Sequence, residues 1–144
     1  MKKQLSLNTL QFVPKIWAVI VYFLLFAVVF LLFYGRKSEA VRSQFFLLRD
    51  PEFYSHISNF SISFMLCLVF GFMEILFSGK VKNTLWFAVL LILSNFIYEL
   101  FIPFINTPDI EDAYYGLAGT LVPFVYFYFF KKFGITENPL YKKD

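Results

Sequence analysis

Four long apolar segments constrain what this chain can fold into. A helix that crosses the hydrocarbon core of a bilayer needs about 20 mostly apolar residues. The segments cover residues 16–34, about 57–77, about 84–104 and about 113–130. None of them alternates apolar and polar residues as a half-buried strand would. Hydrophobic residues make up 59% of the sequence and charged residues only 16%, so most of the apolar surface must face lipid.

The four spans and their connections leave no room for a soluble domain. The sequence therefore predicts an all-α polytopic membrane protein in which residues 1–144 form a single integral membrane domain. The predicted helices cover approximately residues 14–34, 51–78, 84–104 and 108–132. A cleaved signal peptide is the alternative for the first span, but its apolar run is longer than such peptides carry and GRKSEA lacks a small-residue cleavage pattern.

Lysine and arginine are distributed unevenly about the spans, and short cytoplasmic loops carry the excess of these residues. Nine flank one side of the predicted bundle: Lys2, Lys3, Lys15, Lys80, Lys82, Lys131, Lys132, Lys142 and Lys143. Four lie in the first loop, on the other side: Arg36, Lys37, Arg42 and Arg49. We therefore expect both termini in the cytoplasm, and we interpret the net charge of +3 as a topology signal that does not indicate nucleic acid binding.

Two acidic segments have the composition of helix starts. In the second of them Thr107 suits the N-cap, Pro108 suits the first helical position, and the acids of residues 109–112 complement the positive end of the helix dipole. Residues 50–52 show the same pattern, so the second helix should begin near Pro51. Pro123 should kink the fourth helix because a proline ring clashes with the carbonyl four residues earlier.

Polar side chains recur at helical spacing at one level of three predicted helices. Residues three, four or seven apart share a helix face. The candidate binding residues are His56 and Asn59 in the second helix, Asn95 and Glu99 in the third, and Asp109 and Asp112 at the start of the fourth. Ionisable residues within membrane segments mark functional sites by default. The sequence therefore predicts an outward-facing acidic pocket among these three helices.

The chemistry of this pocket has several interpretations. Glu99, Asp109 and Asp112 suit a divalent cation, because hard cations take oxygen ligands, and a lipid or sugar headgroup is the other candidate ligand. In the structural alternative, Asp109 only complements the helix dipole and Glu99 pairs with an arginine in the headgroup layer. His56 is then an interfacial hydrogen-bonding residue. The sequence leaves open whether the pocket holds a metal.

Two further features have structural readings. Gly116, Gly119 and Thr120 form a stripe of small residues that allows helices to pack closely. Glu74 lies near the opposite end of the second helix, where it is expected to pair with Lys80 or Lys82.

The motifs that mark common enzyme classes are missing from the sequence. One cysteine and one histidine exclude a disulfide framework, a cysteine metal cluster and a HExxH site. There is also no GxSxG, Walker, CxxC or GxGxxG motif. We therefore expect no cofactor, and a non-catalytic role is favoured.

The segment from Tyr98 to Gly119, YELFIPFINTPDIEDAYYGLAG, resembles the C-terminal signature of the VanZ-like membrane protein family. In that family a glutamate and a proline-containing turn precede an Asp-x-x-Asp-x-x-x-Asn-x-x-Gly run. The matching positions are Glu99, Pro103, Asp109, Asp112, Gly116 and Gly119, with glycine where the family has asparagine. The stretch SHISNFSISF around His56 is similar to the family's other signature. The likeness extends over most of residues 13–133.

The resemblance implies a bacterial cytoplasmic-membrane protein that acts near the cell envelope, in a family whose founding member is associated with teicoplanin resistance. Three hypotheses follow. The first is a VanZ-like protein that recognises a lipid, a cell-wall-linked headgroup or an ion. The second is an accessory subunit that packs against a larger membrane protein. The third is an enzyme that acts on a membrane-embedded substrate through paired carboxylates and a metal. The expected partners are membrane lipids and, under the second hypothesis, another membrane protein.

Overall fold

A computed structural model describes residues 9–101 and 109–141 of the chain. In these ranges, helices α1 to α6 run over Ile16–Gly35, Gln44–Arg49, Phe53–Ser78, Lys82–Phe101, Ile110–Leu121 and Pro123–Phe129. Strands β1 and β2 run over Phe12–Pro14 and Ile135–Glu137. A 3-10 turn covers Glu39–Val41, and a π-helical turn over Phe130–Gly134 continues α6.

The described residues contain four helical stretches that are long and apolar enough to cross a membrane. They are Ile16–Gly35, Phe53–Ser78, Lys82–Leu100 and Ile110–Gly134. The prediction of an all-α polytopic membrane protein with four spanning helices is therefore confirmed. In the last span, α5 ends at Leu121 and Pro123 begins α6. The division between α5 and α6 therefore lies at Pro123, the residue that was expected to kink this helix.

The two strands join the beginning of the first span to the end of the last. They pair antiparallel, with Phe12 opposite Glu137 and Pro14 opposite Ile135. Beyond them the backbone N–H of Lys15 donates to the carbonyl oxygen of Gly134 over 2.7 Å. We call this end of the bundle the strand end. The first helix was predicted to begin near residue 14, and it begins at Ile16 because Pro14 belongs to β1.

The opposite end, where α1 ends and α3 and α5 begin, is called the loop end. Here α3 begins at Phe53, two residues later than predicted, because Asp50 accepts the Glu52 backbone N–H over 3.0 Å in a turn that precedes the helix. The N-cap of α5 is Asp109, whose side chain accepts the Glu111 backbone N–H over 2.9 Å. The predicted cap at residues 107–108 lies outside the described residues, as does the last part of the third predicted helix.

Helix α3 is the centre of the bundle. It packs against α1, α4 and, most extensively, α5, and its buried residues include Phe64, Leu68 and Ile75. The rings of Phe127 and Phe130, from the second half of the last span, are almost completely buried against this core. This arrangement places the first turn of α3 beside the first turn of α5 at the loop end.

The orientation of the bundle in the membrane remains a prediction, and it can be tested with single cysteines. Glu39→Cys places a cysteine on an exposed part of the loop end, and Glu137→Cys places one at an exposed position of β2. If both termini are cytoplasmic, a membrane-impermeant maleimide applied to intact cells should label the first variant and not the second. Cys67 is fully buried, so the unmodified chain is the background control. If only the Glu137→Cys variant is labelled, the termini lie outside the cell and the predicted orientation is wrong.

Candidate functional site

His56 lies at the centre of an acidic cluster at the loop end. Its side chain is in the first turn of α3, and the residue is only 5% exposed. Its Nδ1 atom lies 2.9 Å from Asp112 Oδ1 and 3.5 Å from Asp109 Oδ2. Its Nε2 atom lies 3.4 Å from Glu111 Oε2 and 3.9 Å from Glu52 Oε2. Four carboxylates therefore surround one imidazole, and we call these five residues the acidic cluster.

The local structure explains why the carboxylates meet. Glu52 precedes His56 by one helical turn, and the other three acids occupy the N-cap and first turn of α5, where they complement the helix dipole. Tyr115 holds the two helix starts together, because its hydroxyl donates to Asp50 Oδ2 over 2.7 Å. Its ring also lies against His56, with 5.4 Å between the ring centroids.

The acidic cluster has no lysine or arginine partner among the residues that the structure describes. Within this part of the chain, the ion pairs of the four carboxylates involve His56 alone, and the one arginine ion pair joins Arg42 to Glu39. Arg36 instead donates to the hydroxyl of Ser58. Four negative groups around one imidazole repel one another even in water. A bound cation would relieve this repulsion.

A second polar level lies one turn deeper between α3 and α4. The Asn59 side-chain amide donates to Glu99 Oε1 over 2.8 Å, and Glu99 is only 1% exposed. One partner of this glutamate is therefore an asparagine donor on α3. Three residues along α3 correspond to about 4.5 Å, so this pair belongs to a separate level below the acidic cluster.

A third level lies deeper still. Asn95 donates to the hydroxyl of Ser63 over 3.0 Å and to the carbonyl oxygen of Leu91 over 2.9 Å. The residues predicted to line one pocket therefore form three successive levels. The structure brings His56, Asp109 and Asp112 together, whereas Glu99, Asn59 and Asn95 make interhelical hydrogen bonds below them.

The predicted small-residue stripe packs inside the chain. A Cβ atom on Gly116 would lie 2.5 Å from the side-chain amide of Asn95, and one on Gly119 would fall on the backbone of Phe60. Thr120 is fully buried and donates to the Gly116 carbonyl oxygen over 2.9 Å. This face of α5 therefore packs against α3 and α4 within the chain.

Two members of the acidic cluster were not predicted as site residues. Glu52 could have been found, because it lies four residues before His56 on the same helix. Glu111 was read only as a partner of the helix dipole, because its proximity to His56 depends on how α5 docks against α3. Glu74, near the strand end of α3, was expected to pair with a lysine. It instead accepts from Ser78 over 2.9 Å and from Asn83 over 2.8 Å.

A comparison with known proteins gives no relative to which the site can be matched. No family model, no curated protein and no solved structure matches the chain. The site must therefore be interpreted from its own geometry.

Proposed function

We propose that this protein is a VanZ-like membrane protein of the bacterial cell envelope that binds an ion or a charged headgroup at the acidic cluster. The observation that supports this proposal is the convergence of four carboxylates on the buried imidazole of His56 without a lysine or arginine ion pair among the described residues. A site with this charge favours a cation, or the positively charged part of a lipid or cell-wall-linked headgroup.

The degree of exposure favours binding from the loop end. The side chains of Glu52 and Glu111 are 79% and 68% exposed, whereas those of Asp112 and His56 are 18% and 7% exposed. The cluster therefore has an accessible acidic rim above a buried base, which suits a ligand that arrives from the membrane surface. Under the predicted topology this surface faces outward.

The sequence favours a binding role over a catalytic role. The chain lacks the motifs by which nucleophilic and metal-dependent hydrolases are recognised. A headgroup or ion bound at the membrane surface requires no nucleophile, and the acidic cluster provides the charge for such binding.

Native mass spectrometry tests the proposal. The full chain is purified from its native membrane in a mild detergent, as the unmodified protein and as Asp112→Asn, which removes one charge but keeps the shape. We expect a defined lipid, headgroup or ion adduct on the unmodified protein and at least about tenfold less of it on the variant, since a hydrogen bond to a charged group contributes about 1.5–3 kcal/mol.

Glu39→Gln is the matched control, because Glu39 is an 87% exposed acid of the same loop end outside the cluster. An adduct that survives Asp112→Asn, or that Glu39→Gln removes equally, would contradict the proposal. Co-purification of a second protein in a fixed ratio would instead support the accessory-subunit hypothesis.

A further inference from the structure

We infer that the ion of this site is a divalent transition metal, bound by the Nδ1 atom of His56 and one carboxylate oxygen each of Asp109 and Asp112. The inference rests on the proposed function and names the ligand class of the same site. It differs from the sequence expectation in one ligand, because His56 takes the place that was expected for Glu99.

The spacing of the three ligand atoms fits such an ion. All three atoms lie within 4.8 Å of one another, and Nδ1 is 2.9 Å from the Asp112 oxygen and 3.5 Å from the Asp109 oxygen. Metal–ligand bonds of about 2.0–2.1 Å at tetrahedral angles place ligand atoms about 3.3 Å apart. The two distances to Nδ1 bracket this value, and the two carboxylate oxygens lie within 4.8 Å of each other, so rotations of the aspartate side chains would complete the coordination.

The second ring nitrogen of His56 provides an independent observation. The residue is 5% exposed, and its buried Nε2 atom makes no hydrogen bond among the described residues, although carboxylate oxygens of Glu111 and Glu52 lie 3.4 and 3.9 Å away. In the present arrangement Nδ1 shares a hydrogen bond with Asp112, so this contact accounts for only one side of the ring. A buried polar atom that makes no hydrogen bond is costly, and an arrangement in which Nε2 donates to a nearby carboxylate would remove that cost.

Metal binding would supply that partner. A histidine that coordinates a metal through one ring nitrogen usually donates the other N–H to a carboxylate, which fixes the orientation of the ring. With the metal at Nδ1, the proton resides on Nε2, and Glu111 Oε2 lies 3.4 Å from that atom. A short movement of the exposed Glu111 side chain would then form the hydrogen bond.

The ligand types indicate the class of metal. Calcium and magnesium prefer sites made of oxygen atoms, whereas imidazole together with carboxylates suits zinc and its first-row neighbours. Three protein ligands leave one coordination position open. That position would accept a water molecule or an anionic oxygen atom of a headgroup.

Zinc binding to the full chain in detergent tests this inference. The protein is stripped with a chelator, titrated with zinc chloride alone by isothermal titration calorimetry, and checked for bound metal by elemental analysis after desalting. We expect one zinc per chain that calcium at about 100-fold excess does not displace. Asp109→Asn should weaken zinc binding at least about 100-fold. Asparagine is as good an N-cap as aspartate, so this variant preserves the start of α5.

Two further variants separate the roles of the carboxylates. Glu111→Gln should weaken zinc binding about 10–100-fold, as the loss of an outer carboxylate partner does elsewhere, and Glu39→Gln should leave it unchanged. Absence of stoichiometric zinc, equal binding by Asp109→Asn, or displacement by calcium would each overturn the inference. If zinc fails to bind while the adduct in native mass spectrometry still depends on Asp112, only the metal assignment is wrong. If both fail, the proposed function fails too.

Discussion

Gly119→Ala should destabilise the bundle by about 3 kcal/mol or more, although alanine is the better helix former. Overpacking a well-filled interior costs about 1–3 kcal/mol and occasionally more, whereas alanine in place of glycine contributes only about 0.5–1 kcal/mol within a helix. A Cβ atom at this position would fall on the carbonyl oxygen of Phe60 and lie 2.8 Å from its carbonyl carbon. These are backbone atoms of α3, and they can move only if the two helices separate.

Gly116→Ala is the matched control, one turn earlier on the same helix. The methyl group added there would meet the side-chain amide of Asn95 at 2.5 Å, and a side chain can rotate where a backbone cannot. We therefore expect a smaller loss of stability, with the Asn95–Ser63 hydrogen bond weakened. Unfolding by sodium dodecyl sulfate in mixed micelles gives both free energies. If Gly119→Ala is as stable as Gly116→Ala, the close contact of α3 with α5 is wrong.

Asn59→Leu should destabilise the protein by about 2 kcal/mol, the second largest effect that we expect. The variant keeps a side chain of similar size but removes a donor from the almost completely buried carboxyl group of Glu99. Interhelical hydrogen bonds in membrane proteins contribute only about 0.6 kcal/mol on average. The burial of this carboxyl group raises the expected cost, because loss of a partner from a buried polar group costs about 1–3 kcal/mol.

The chain contains a matched pair for this experiment. Asn83 also donates its side-chain amide to a glutamate, Glu74, over 2.8 Å, but this hydrogen bond is exposed near the strand end. Exposed interactions of this kind contribute about 0–1 kcal/mol. Asn83→Leu should therefore cost at most about 1 kcal/mol in the same unfolding assay. Equal losses for the two variants would mean that the burial of Glu99 does not strengthen its hydrogen bond.

The spans, their number and the break in the last one were all accessible from the sequence. Each depends on local properties of the chain. A run of about 20 apolar residues must be helical in lipid, because the backbone has no other way to satisfy its hydrogen bonds there, and Pro123 interrupts a helix wherever the helix lies. The acidic start of the last span was visible for the same reason, and Asp109 is the N-cap of α5.

The strands at the other end of the bundle were not predictable in this way. β1 and β2 contain three residues each and pair across almost the whole length of the chain. No short-range pattern specifies such a pairing. It forms because the four spans bring the two segments to the same end of the bundle.

The candidate site was only half accessible from the sequence. The spacing of His56 and Asn59 along α3 placed both on one face, and this spacing depends only on the helix period. Which acids meet His56 depends on the rotation and depth at which α5 docks against α3. The close contact at Gly119 sets that depth. At this depth Asp109, Asp112 and Glu111 lie beside the imidazole of His56, whereas Glu99 accepts a hydrogen bond from Asn59 one turn below. The sequence by itself determined the helices and the polar faces, because these follow from local hydrophobicity and period. Only the tertiary structure decided which polar groups share a level, because that choice depends on how the helices pack.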